Sequence, residues 1–156
     1  MIASSVQLFA LGSYLVPKSV EGLSRDELLR APQGTNPMIW IWGHLTNARC
    51  GLAMMLGVER ERFHDQLFGR GAEIGANTEY PSEDEVRACW QQVSERLRDR
   101  YESLTAEELR RPSPRSFPVE DKSVAGTVNF LAFHEGYHCG QLAMLRKWLG
   151  QGQLVG

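Results

Sequence analysis

Cysteine is scarce in this sequence, long apolar runs are absent, and neither sign of charge dominates. The three cysteines, Cys50, Cys89 and Cys139, are far apart, odd in number and form no C-x-x-C pair. That argues against a disulfide framework and fits a reducing, cytoplasmic setting. Cys139 adjoins His138, so it is either a soft ligand or nucleophile, or a small buried apolar residue of the kind helices often carry. No apolar stretch reaches the roughly 18–20 residues that a membrane span requires. The opening MIASSVQLFALGSYLV has no basic n-region and is broken by Ser4, Ser5, Gln7, Gly12 and Ser13. It therefore reads as a first helix rather than a signal peptide. Seventeen Lys and Arg against 19 Asp and Glu give a formal net charge of −2. Such a balance offers no electrostatic footing for nucleic acid. Arg110, Arg111 and Arg115 form a small basic group among prolines and read as a solvated loop.

Alternating strand patterns are missing too, and helical periodicity takes their place. With 156 residues the chain is expected to form one domain with a substantial core. Ile2, Val6, Phe9, Val16 and Val20 mark one side of a first helix over 2–20, which Pro17 should kink or end. Ser24 and Glu27 form a capping box for a short turn. Asn36-Pro37 signals the start of a second long helix, and Gly57 its end. Residues 57–81 are polar, with an apolar patch at Phe63, Leu67 and Phe68. That is long for a link between antiparallel neighbours and suits a crossover between halves of a bundle. Pro81-Ser82, with Glu85 completing a box, opens a third helix to about Ser103. A proline-rich loop at 111–121 precedes a last helix over about 122–149. EGLSRDELLR (21–30) echoes ESLTAEELRR (102–111), either as two generic capped turns or as two related halves. Both readings give four long helices, and so an all-α four-helix bundle.

The last helix carries the chemistry. His134 and His138 are one turn apart within the stripe Thr127, Phe130, Leu131, His134, His138, Gln141, Leu142, Leu145 and Leu149. Polar groups facing a core cost about 1–3 kcal/mol each if unpaired. A divalent metal would satisfy both at once, and hydrogen bonds to neighbouring core groups are the other solution. His134-Glu135-Gly136-Tyr137-His138 also matches the H-E-x-x-H pattern of zinc peptidases. A zincin needs a third ligand downstream. The remaining sequence, CGQLAMLRKWLGQGQLVG, contains no His, Asp or Glu, so the peptidase reading fails. An upstream ligand is available. His44 shares a stripe with Ile41, Ala48, Leu52 and Met55, and Ala48 and Gly51 allow close helix approach. Three neutral imidazoles would leave coordination positions open for water or substrate. His64, among charges in the crossover, reads as solvated.

These segments, NPMIWIWGHL in the second long helix and HEGYHCGQLAMLRKWLG at the close, resemble the DinB/YfiT-like superfamily over essentially the whole chain. The resemblance implies an up-down-down-up bundle, frequent homodimers, and a divalent metal held by His44, His134 and His138. It leaves the reaction open, since the superfamily includes thiol-dependent isomerases and S-transferases as well as proteins described as metal-dependent hydrolases.

The function expected is therefore a metal-dependent transferase of the thiol-dependent type, or a hydrolase, acting on a small molecule. The alternative is a non-catalytic, stress-related dimeric metal-binding bundle. Zinc or nickel is the expected ion, with a low-molecular-weight thiol as a possible cosubstrate. Glu135 is a weak candidate for general base, because it sits at the edge of the ligand face and could equally be solvated or hydrogen-bonded behind a ligand. Asn47 and Gln141 are placed by helical phase to orient a ligand or a bound water. Trp40 and Tyr137 are either pocket walls or ordinary core aromatics.

Overall fold

Four helices of this chain begin where a Ser or Thr side-chain oxygen, of Ser24, Ser82, Thr105 or Ser123, accepts from one of the first unpaired N–H groups. The computed structural model describes residues 1–72 and 78–154. Among them are four long helices, α1 (Ala3–Val20), α3 (Met38–Met55), α5 (Glu83–Ser103) and α7 (Val124–Trp148). Three short ones are α2 (Arg25–Leu29), α4 (Asp65–Phe68) and α6 (Ala106–Arg110). Ser24 and Glu27 close a full capping box on α2, and Thr105 and Glu108 close the matching box on α6. The internal echo thus corresponds to one structural unit, long helix–capped turn–long helix, in each half.

Two caps differ from the expectations, and of the two roles open to Pro17 one falls away. Pro17 lies inside α1 rather than ending it, at the expense of one hydrogen bond to the preceding turn. Asn36 does not cap α3: Pro37 itself stands at the N-cap, with no side-chain bond. Ser82 accepts from the Glu85 N–H at 3.2 Å, but the Glu85 carboxylate does not close the box. It pairs instead with His64 Nε2 at 2.6 Å. His64 is accordingly half-buried and paired, not solvated, and ties the crossover to α5. Residues 73–77 of the expected crossover lie outside the described residues.

Contacts along each pair of helices fix the directions. Ser5 bonds Asn129 and Arg146 reaches the Ser19 carbonyl, so α1 and α7 run parallel. Arg87 covers the Trp42 ring and Arg100 bonds the Leu56 carbonyl, so α3 and α5 also run parallel. Phe9 stacks on Tyr101, while Tyr14 and Pro17 share a pocket with Arg87 and Gln91, so α1 and α5 are antiparallel. His44 meets His138, whereas Met55 meets Thr127 through Ser113, so α3 and α7 are antiparallel. The order is up-down-down-up. α1 packs on α5 and α7, as does α3, which puts α1 diagonal to α3. Because α3 and α5 are consecutive long helices that run the same way, the chain must return the length of the bundle between them. The long polar stretch after Gly57 does this. Trp42, Trp90, Phe68, Met38, Leu45 and Leu142 are fully buried between the layers. Each such side chain contributes about 1.5–3 kcal/mol on burial.

Candidate metal centre

The W-x-x-G-H-L segment has a physical explanation, the docking of α4 onto α3. Trp40 Nε1 donates to the Leu67 carbonyl at 3.1 Å. Gly43 leaves room for the Phe68 ring, since a Cβ there would lie 2.2 Å from Cζ of Phe68. His44 Nδ1 then donates to the Phe68 carbonyl at 2.8 Å. Because a carbonyl only accepts, this bond fixes the proton on Nδ1 and leaves the Nε2 lone pair of His44 facing inward. Trp40 also stacks on the His44 ring, with centroids 4.7 Å apart. It is therefore both a core aromatic and the back wall of the histidine.

From α7, His138 is held in the same way. Its Nδ1 meets Gln141 Oε1 at 2.7 Å, and Gln141 Nε2 in turn donates to the Tyr137 hydroxyl at 3.1 Å. Gln141 thus orients a histidine, while the exposed Tyr137 braces Gln141 rather than lining a pocket. His134 Nε2 lies 3.1 Å from Nε2 of His44 and 3.2 Å from Nε2 of His138. One donor nitrogen from each of the three residues falls within a single sphere of contacts, all within 4.8 Å of one another.

This arrangement suits a cation better than a hydrogen-bond network. With protons fixed on Nδ1 of His44 and His138, both of their Nε2 atoms are acceptors. His134 has one proton to offer and could satisfy only one of them. Its Nδ1 is buried and has no partner among the described residues. Burial first, and the neighbouring imidazoles second, push His134 down to about 4. Burial followed by the His44 ring does the same to His138, also to about 4, and burial lowers His44. All three are therefore neutral near pH 7, the form that binds metal. The chemistry of the donor set fits a divalent ion with open positions.

Glu135 is not available to this centre. It is 4 % exposed and turned away from the histidines into a polar joint that sequence reasoning missed. Arg49 Nε and Nη2 donate to its two carboxylate oxygens at 2.8 and 2.6 Å. The remaining donors of Arg49 reach Ser13 Oγ and the Phe9 carbonyl, both at 2.7 Å, and Ser94 Oγ. Its guanidinium also lies 3.9 Å from the Trp90 ring centroid. All five N–H groups are used, and all four long helices are joined. Gly12 makes room for the joint, since a Cβ at that position would fall 1.9 Å from Glu135 Oε1. Burial pushes the Glu135 carboxyl up, and Arg49 opposes that shift by pairing with the charged form. A carboxylate committed on both oxygens cannot take a proton from water at the histidines. Glu135 is thus neither placed as a general base at the histidines nor solvated, contrary to both expectations from sequence. The signal in the sequence was Arg49 itself, the one Lys, Arg, Asp or Glu in a helix rich in apolar residues.

Cys139 lies outside the three-histidine set, and burial raises its thiol to about 12. Asn47 donates through Nδ2 to Asp65 at 2.9 Å, and its Oδ1 is buried without a partner among the described residues. Asn47, His44 and His134 all line one cavity of about 590 Å³. Arg62, Arg70 and Arg115 line the same space, as do Phe117 and Phe130. Arg115 was read as part of a solvated loop; it is exposed, but the loop carries it to the wall of this cavity.

An up-down-down-up bundle thus brings three imidazoles together in its core, two of them at the wall of a cavity, in a set that fits a divalent ion. The family model described as the DinB superfamily matches residues 14–142, and the chain belongs to that superfamily. Among solved structures it is similar to YfiT from Bacillus subtilis, described as a probable metal-dependent hydrolase with an unusual four-helix bundle topology. The two share 14 % identity at a TM-score of 0.68, over 96 % of this chain and 87 % of that one. At that identity the likeness establishes the fold. No curated protein matches. No helix among the described residues is long and apolar enough to cross a membrane.

Proposed function

We propose that this protein is a metal-dependent hydrolase of a small molecule, with a divalent ion, zinc or nickel, held by His44, His134 and His138. One observation carries the reading: three neutral imidazole nitrogens meet at the wall of a 590 Å³ cavity that His44 and His134 themselves line. That volume is in the range of small-ligand sites. The description of YfiT as a probable metal-dependent hydrolase supports the same direction. When bound, the ion supplies a Lewis acid and lowers the pKa of water at its open position. The protein's part is to hold the ligands ready: Phe68 and Trp40 fix His44, Gln141 fixes His138, and burial keeps all three rings unprotonated.

A thiol-dependent S-transferase is the second reading. It is favoured by the absence of any Asp or Glu among the described residues lining the cavity. A thiol gives up its proton more readily than water and needs the least help from a base. A homodimer goes with either reading. Leu8, Leu11 and Tyr14 on α1, and Phe133, Met144 and Trp148 on α7, are large apolar side chains left exposed on two adjacent helices. A cytoplasmic setting fits the three free cysteines.

The test is the metal content per chain, in protein purified without added metal or an affinity tag. Wild type is expected to hold about one ion, and His44→Ala, His134→Ala and His138→Ala each to lose it. The loaded protein is then assayed on activated esters and amides, and on electrophiles supplied with a thiol. Full metal retention in His44→Ala would refute the ligand set. Metal without turnover on either substrate class would leave the non-catalytic dimeric bundle as the reading.

A further inference from the structure

We infer that the cavity beside the histidines binds an elongated small acid: an oxyanion head, carboxylate or phosphate, held by Arg62 and Arg115, on an apolar or aromatic body that reaches back to His44 and His134. This rests on the reading of that cavity as the substrate chamber. Three guanidiniums line it, and no carboxylate among the described residues does, in a chain whose net charge is −2. The cationic lining is therefore local.

Gly51 brings two of the guanidiniums together. A Cβ there would meet Arg62 Nη1 at 2.0 Å and Arg115 Nη1 at 3.5 Å, so both lie over the same bare turn of α3. Arg62 spends Nη1 on the Asn47 carbonyl at 2.9 Å and Nε on Asp65 at 3.4 Å. Its Nη2 has no partner among the described residues. Asp65 is itself shared, since it accepts from Asn47 at 2.9 Å. The guanidinium of Arg115 has no acidic partner among the described residues, and its charge faces Arg62. Burial and that facing charge both lower Arg62. Two like charges set side by side over a cavity are relieved by an anion, and the planar fork of arginine suits carboxylate and phosphate oxygens.

Position sets the length of the ligand. Gly51 follows His44 by seven residues of helix, about 10 Å along the axis. Much of the rest of the cavity wall is apolar: Ala48, Leu52, Met55 and Leu131, together with Phe117 stacked on Phe130 at 4.6 Å. Asn47, whose Nδ2 is taken by Asp65, also lines the cavity.

The experiment is calorimetric binding to metal-free protein, with biphenyl-4-carboxylate, biphenyl-4-yl phosphate and the neutral biphenyl-4-carboxamide as probes. At low salt at least one acid is expected to bind roughly tenfold more tightly than the amide. Arg115→Gln should cut that ratio several-fold, and Arg62→Gln/Arg115→Gln should bring it close to one with metal content unchanged. The tighter acid identifies the head group. Using a ratio of two ligands on one protein removes any general loss of folded material from the comparison. Equal binding of acid and amide, or a ratio that survives in the double variant, overturns the inference. If the acid binds as expected but no ion is held by the histidines, the metal reading falls and this one stands.

Discussion

Replacing Arg49 with Met gives the sharpest test of how this bundle is held together. The substitution keeps an unbranched apolar stem and removes five donors at once, together with the guanidinium that lies over the Trp90 ring. Glu135 would be left in the core with neither oxygen paired, and the Phe9 carbonyl would lose its guanidinium partner. Ser13 and Ser94 keep their own bonds to the carbonyls of Phe9 and Trp90, so the cost centres on the carboxylate. Breaking a buried pair on one side costs about 3–5 kcal/mol. Set against a total stability of about 5–15 kcal/mol, that is a large fraction, and it corresponds to a fall in Tm on the order of 10 °C. The pairing also predicts its own rescue. Arg49→Met/Glu135→Leu removes both charges together and should recover most of the loss, giving a coupling of several kcal/mol in a double-mutant cycle. Urea unfolding followed by the fluorescence of the four tryptophans measures Arg49→Met, Glu135→Leu and the double variant. A single variant within about 0.5 kcal/mol of wild type, or a double variant no better than the single, would refute the argument. Glu135→Gln tests the same residue from the side of catalysis. It should lose stability and keep turnover per folded, metal-loaded chain. Full stability with abolished turnover would return Glu135 to the role of base.

Three further outcomes follow from the geometry. Gln141→Leu removes the acceptor for His138 Nδ1 and should weaken metal affinity by about 10–100-fold, read by competition with a chelator; unchanged affinity would mean that His138 needs no such support. Gly43→Ala puts a methyl into the Phe68 ring, so it should cost about 1–3 kcal/mol and loosen the carbonyl that holds His44. Urea midpoints and metal affinity should fall together, and a variant with wild-type values for both would show that α4 does not position His44. Cys89 should be the first thiol to react: a hydrogen bond from Cys50, with Arg60 at 3.2 Å adding to it, brings it down to about 7 from the usual 9.0. The thiolate is the reactive form, so alkylation by iodoacetamide should rise with pH and reach half its limit near 7. Arg60→Ala should move that midpoint upward, and a midpoint that stays near 9 in wild type would refute the assignment.

Much of this architecture was legible because it rests on local chemistry. A capping box depends on residues three apart: the expected one at Ser24 and Glu27 is present, and the capped turn that echoes it carries another at Thr105 and Glu108. Histidines one turn apart on an apolar stripe had to face the core, and His44 had the same phase on its own helix. What local pattern could not supply was the partner of a side chain from a distant segment. Glu85 has the spacing of a capping box, yet its carboxylate goes to His64, 21 residues away. Glu135 has the sequence context of a peptidase base, yet helical phase put it only at the edge of the ligand face and could not choose between the histidines and the opposite side. Arg49, 86 residues away, decides that choice. Arg115 was read from its proline-rich surroundings, which describe the loop but not where the loop lands.

The two misreadings bear on one another. The carboxylate that looked catalytic is used to hold the bundle together, and an arginine that looked merely solvated stands beside Gly51 at the wall of the cavity. Helix α3 thus serves two purposes along its length. Its Arg49 side points into the four-helix joint and fixes the frame, while His44, Asn47 and Gly51 point into the cavity. The separation is what lets a core of ordinary packing keep three imidazoles neutral and convergent: the charge needed to lock the helices is paired with Glu135, and the cationic wall of the cavity lies about two helical turns from His44. Exchanging those roles, with a free carboxylate among the histidines and unpaired arginines in the core, would protonate the ligands and unfold the frame.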